Sequence, residues 1–221
     1  MTVLLTQRSQ RLGVRLFTRA ARDFRWWVIA GFPVTFAISL VFADVIEIGA
    51  WRITASVFQW FVAIWSGLTV HTFFQAGLAM GLTRREATVS LSVFGALLSA
   101  AAIAVVAVGL LAEHALLSAV AGPHFTLGET AATASRYLLV TPLYCCAGLA
   151  LGAVEVRWRG GNAKAMPLLV ASGVLALACM AFEYGQWWFP QWAPAGVGLA
   201  AALAAVFVLL LRDAPVQPKR A

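Results

Sequence analysis

The chain has 221 residues, of which 62% are hydrophobic and only 11% charged, with a formal net charge of +7 and a mean hydropathy of +0.85. A soluble domain has roughly a quarter of its residues charged, so the composition excludes one and indicates a membrane protein. Its apolar runs are continuous rather than alternating, which argues against a β-barrel.

The N-terminal segment carries Arg8, Arg11, Arg15, Arg19, Arg22 and Arg25 at steps of three and four. At about 100° per residue they fall within an arc of about 120°, with Leu16, Phe17, Ala20 and Phe24 opposite. This predicts an amphipathic helix over 1–25 lying in the cytoplasmic membrane interface, marked by Arg11, Arg15, Phe17, Arg22 and Phe24. It does not read as a cleavable signal, because the basic region is too long and no small-x-small site follows the first span.

A helix needs about 20 apolar residues to cross a hydrocarbon core about 30 Å thick, and six stretches suit, at about 26–43, 53–82, 87–112, 137–154, 165–182 and 194–211. The expected fold is therefore all-α: six transmembrane helices over 26–212 after the interfacial helix, then a short tail over 213–221. Fourteen of the sixteen Lys and Arg residues fall on one side of this layout, and only Arg52 and Arg136 on the other. By the positive-inside rule both termini are cytoplasmic. Basic residues placed at span ends point to anionic membrane lipid as a partner and to no nucleic acid.

Between spans 2 and 3 the sequence Gly81-Leu82-Thr83-Arg84-Arg85-Glu86 interrupts the apolar run. Thr83 followed three residues later by Glu86 is a capping-box pattern, which predicts a tight turn and a new helix start. Gly77 with Gly81, and Gly148 with Gly152, are G-x-x-x-G pairs expected to allow close helix packing. Within the spans, Gln59, His71, Gln75 and Tyr144 are the candidate polar residues of a translocation path. No carboxylate is placed mid-span to partner His71.

The stretch 113–136 reads as an outer loop holding Glu113, His114, His124 and Glu129, whose spacing fits no metal-ligand pattern. Cys145, Cys146 and Cys179 form no C-x-x-C motif and read as buried thiols. No nucleophile constellation, H-E-x-x-H or intramembrane aspartate pair is present, so the chain is not expected to be an enzyme.

The turn at 81–86, together with the layout of an amphipathic N-terminal helix, six spans and both termini inside, resembles the ABC-2 type transporter permeases. Those are membrane-spanning subunits of bacterial exporters. The resemblance covers the whole chain in architecture but only about six residues in motif. Ala87 departs from it where an aromatic is common, and the outer segment Tyr184–Pro194 is similar to a shortened re-entrant hairpin. It implies a dimer with a second permease copy or paralogue and coupling to a separate ATPase subunit. Gly81, Thr83, Arg84, Arg85, Glu86, Arg157 and Arg159 would be the coupling residues. ATP and Mg would belong to that partner, with no cofactor in this chain, which lacks a G-x-x-x-x-G-K-[ST] loop. The residues alone leave two other readings open: a substrate-binding membrane subunit of a vitamin-type importer, and a non-transporting subunit of a membrane complex.

Overall fold

The structure, a computed structural model, describes residues 2–42, 49–120, 126–158, 165–185 and 189–214. These form α1 (Thr2–Val41), α2 (Ala50–Ala79), α3 (Arg84–Val120), α4 (Leu127–Trp158), α5 (Ala165–Tyr184) and α6 (Phe189–Arg212). Five of them, α1 to α4 and α6, are long and apolar enough to cross a membrane, and α5 is apolar over the stretch with described side chains, Val170–Tyr184. Pro33, Pro142 and Pro194 lie inside helices without ending them, as membrane helices tolerate when neighbours satisfy the freed backbone groups.

The link from α2 to α3 is built by local chemistry. Gly81 adopts φ +83°, and no atom would lie within 4 Å of a Cβ there, so backbone conformation alone calls for glycine. The Leu82 N–H donates to the Gly77 carbonyl and the Gly81 N–H to that of Leu78, both at 3.0 Å. That is a Schellman close, with buried Leu82 folded back over Gly77. One residue on, the Glu86 N–H donates to Thr83 Oγ1 at 3.2 Å, while Glu86 Oε2 accepts from the Thr83 N–H and hydroxyl at 2.9 Å. Two helix ends thus share one rigid turn.

Those bonds from the Thr83 backbone and hydroxyl, with Arg8 nearby, hold the Glu86 carboxyl below the usual carboxylate range. Thr83→Ala is expected to cost about 0.5–2 kcal/mol at neutral pH, read as a lower thermal-aggregation midpoint in detergent. A depressed pKa gives stability that is present above the unfolded-state value and lost as pH falls through the folded one. The gap between wild type and Thr83→Ala should therefore narrow only at acid pH.

A second capping box, Thr126 with Glu129, starts α4 and holds the Glu129 carboxyl below its usual range in the same way. The stretch 113–136 is consequently not a long loop. α3 continues to Val120 and α4 begins at Leu127, while His124 lies outside the described residues.

α4 is the central helix, with 67% of its apolar window buried, against 11% for α1. It runs parallel to α2, pairing Ala63 with Gly148 and Val70 with Gly152. At this seam a Cβ on Gly148 would fall on the Ala63 carbonyl oxygen, and one on Gly152 would lie 2.5 Å from the Gly67 carbonyl oxygen. Backbones approach this closely only through glycine. Gly77 and Gly81, by contrast, do not pack helices. The nearest atoms to a Cβ on Gly77 belong to its own turn, Leu82 and Phe73, and that pair serves the Schellman close.

The N-terminal segment departs most from expectation. α1 is one uninterrupted helix of 40 residues, about 60 Å at 1.5 Å per residue, with no break between its arginine-bearing half and the apolar half. Its small residues pack lengthwise on α3: Ser90 Oγ donates to the Ser9 carbonyl at 3.0 Å, and a Cβ on Gly13 would meet the Ser90 carbonyl oxygen at 2.6 Å. Phe24 meets Trp65 of α2 edge-on, ring centroids 4.8 Å apart. A separate helix lying flat in the interface is thus replaced by one that climbs along α3. Of the face it would have given to lipid, Ala20 is buried against protein, while Phe17 and Phe24 stay half-buried.

Candidate functional site

Four chain segments converge at the Arg84 end of the bundle. Arg84 Nη1 donates to the Arg212 carbonyl at the end of α6 at 3.0 Å, satisfying an acceptor that a helix C-terminus leaves unpaired. Arg157, near the end of α4, lies 3.7 Å from Asp213. Arg8 of α1 is close enough to act on Glu86. The start of α3 and the end of α4 therefore both grip the last turn of α6. Arg85 is exposed and Glu86 is buried. Arg159 lies outside the described residues.

Two turns away from this end, His71 Nδ1 of α2 meets Glu155 Oε1 of α4 at 3.0 Å. The expectation that His71 has no carboxylate partner is thereby corrected. Glu155 falls past the end of the apolar run in sequence, but α4 continues as a helix to Trp158 and carries it alongside α2.

The other polar residues expected to line a path have separate surroundings. Gln75 is half-buried on α2. Gln59 is fully buried, and its amide has no hydrogen-bond partner among the described residues; the same is true of the Thr141 hydroxyl. Tyr144 donates to Glu183 Oε2 at 2.8 Å and Tyr137 to Glu183 Oε1 at 3.3 Å, while Tyr184 and Ser56 share a hydrogen bond at 2.5 Å. Glu183, which the sequence places in an outer loop, is thus a buried carboxylate at the end of α5. Its two phenol donors supply what a buried charge requires.

A second buried carboxylate, Glu113, closes the bundle at the end away from Arg84. It accepts from the Ser39 hydroxyl and from the Trp51 N–H, the latter at 3.0 Å. The negative charge thus faces the start of α2, where a helix dipole favours it. Gly49 at φ +77° leaves the room: a Cβ there would lie 2.8 Å from Glu113 Oε2. The Trp51 indole N–H donates to the Val106 carbonyl at 3.1 Å, and its ring overlies Gly109, where a Cβ would collide with it.

Two adjoining apolar hollows, about 180 and about 290 Å³, lie between α1 and α2 over α3, and share Phe24, Val28, Phe58 and Val105. None of Gln59, His71, Gln75 or Tyr144 lines them. Among the described residues no group of three His, Cys, Asp or Glu is placed to hold a metal. The chain matches no family model, no curated protein and no solved structure.

Proposed function

We propose that this chain is the membrane-spanning permease subunit of an ATP-driven exporter of the ABC-2 type. It crosses the bacterial plasma membrane six times with both termini inside. Two permease subunits frame the translocation path, and a separate ATPase engages the turn at residues 80–86. The observation that carries this reading is the construction of that turn. A Schellman close and a capping box make it rigid, and Arg85 is left exposed on it. The Arg84 bond to the end of α6 and the Arg157 contact with Asp213 give a push on the turn a route into α6 and α4. An exposed guanidinium on such a mount suits a carboxylate of a cytosolic partner.

Arg84 and Arg85 then have different duties, and a test separates them. Purified with its ATPase, the complex with Arg85→Glu is expected to lose at least ten-fold in ATPase retention, while the isolated chain keeps its thermal stability. Arg84→Ala is expected to keep the ATPase bound but to uncouple ATP hydrolysis from transport. Retention of both the complex and coupled hydrolysis in the Arg84→Glu/Arg85→Glu double variant would sink the reading.

The importer-type alternative draws on one observation, the buried group of Glu183, Tyr137 and Tyr144 with unpartnered Gln59 and Thr141 on neighbouring helix faces. Tight binding of a small polar ligand by the isolated chain, abolished by Glu183→Gln, would favour it.

A further inference from the structure

We propose that the groove between α1 and α2 holds an acyl chain of an anionic phospholipid from the surrounding bilayer, with Arg22 and Arg25 holding its headgroup. The site stands apart from the exporter reading and requires only that the helices are embedded in a membrane.

The groove exists because α1 leans on α3 and touches α2 only lightly. Its two hollows run along α1 from Phe17 to Phe32, about 22 Å of helix, longer than the roughly 15 Å of hydrocarbon in one leaflet. The lining is carbon nearly throughout, with Phe24, Phe58, Trp65 and Val105 as walls, and both hollows open to one side. Water would find few partners there, whereas a flexible apolar chain fits.

Charge decides which lipid. Arg25 is itself part of the wall, and it stands beside Phe24, which meets Trp65 in the middle of the charge-free run Ile53–Thr83 of α2. At hydrocarbon depth an unpaired arginine costs about 2.5–3.5 kcal/mol. Among the described residues no ion pair joins a carboxylate to Arg22 or Arg25; the Arg25 guanidinium lies over the Trp26 ring, 5.1 Å from its centroid, a contact that leaves its charge without an anion. All six arginines of α1 are exposed, and Asp23 is the one acid described on that helix. A second copy would bring its own arginine row against this one, which repels. A lipid phosphate, reached by side chains that bend toward the headgroups, supplies the missing anion, and its tail fills the apolar slot beside it. Further down α1, Arg8, Arg11 and Arg15 border a separate polar hollow with Gln7 and Leu12, which extends the positive row toward the N-terminus.

The full chain is reconstituted in nanodiscs of phosphatidylcholine containing a tenth of either phosphatidylglycerol or phosphatidylcholine brominated in mid-chain. Bromine quenches tryptophan on contact, and Trp27, Trp51 and Trp65 line the groove. Quenching by the brominated anionic lipid is expected to exceed that by the neutral one at least two-fold. Arg22→Gln/Arg25→Gln should remove the excess, and Arg8→Gln/Arg11→Gln/Arg15→Gln should leave most of it. Gly31→Phe should remove it by filling the slot, since nothing lies within 4 Å of a Cβ there. Equal quenching by the two lipids in the wild type overturns the proposal. So does an excess that survives Gly31→Phe, or one that the distal triple variant abolishes, which would signify attraction to the surface alone.

Discussion

Gly148→Val is expected to prevent the bundle from assembling, because the added carbons would fall on backbone rather than on a side chain that can move away. A Cβ at 148 would land on the Ala63 carbonyl oxygen and on Ser66 Oγ, whose hydroxyl donates to the Ala63 and Cys145 carbonyls at 2.9 and 3.2 Å. Overpacking of a core typically costs about 1–3 kcal/mol when neighbours can yield. Here α2 and α4 would have to separate along the most buried seam of the molecule, against a total stability on the order of 5–15 kcal/mol. The expected result in detergent is loss of the monodisperse peak on size exclusion. Gly198→Val serves as the control, since a Cβ at Gly198 meets nothing within 4 Å. Indistinguishable elution and melting of the two variants would show that α2 and α4 are not in contact there.

Glu113→Ala carries the second large effect. It strips the acceptor from the Ser39 hydroxyl and the Trp51 N–H, and each buried donor left unpaired costs about 1–3 kcal/mol. The junction it closes joins α1, α2 and α3, with Trp51 against Phe32 and Phe36 at ring distances of 4.5 and 5.7 Å. Glu113→Gln keeps an acceptor oxygen and much of the shape. It should therefore lose chiefly the charge–dipole contribution of about 0.3–1 kcal/mol. The expected order of thermal midpoints is wild type, then Glu113→Gln, then Glu113→Ala well below. Equal midpoints for the two variants would remove the donors from the explanation.

The start of α3 is legible in the sequence, since Thr83 and Glu86 act on backbone groups within three residues of themselves, whereas the part Gly81 plays in closing α2 is not. The same pattern is present at Thr126 and Glu129, where the polar residues around it read as a loop although a helix starts there. Gly77 and Gly81 matched a packing pattern and were put to a different use, because a glycine pair does not specify which partner comes near. Glu113, Glu155 and Glu183 fall just outside the apolar runs 87–112, 137–154 and 165–182 in the sequence. Their burial or pairing depends on Trp51, His71 and the two tyrosines, all at least 39 positions away in the chain.

By itself the sequence determined what local composition controls: a membrane class, the apolar segments that become helices, and the capped start of α3. Hydrophobic length and capping act along the chain, so their signals are contiguous. Tertiary structure decided where α1 lies, which glycines separate helices, and how the end carboxylates are satisfied. Those outcomes turn on which helix faces meet, and that choice is set by packing and by pairing buried polar groups across the bundle.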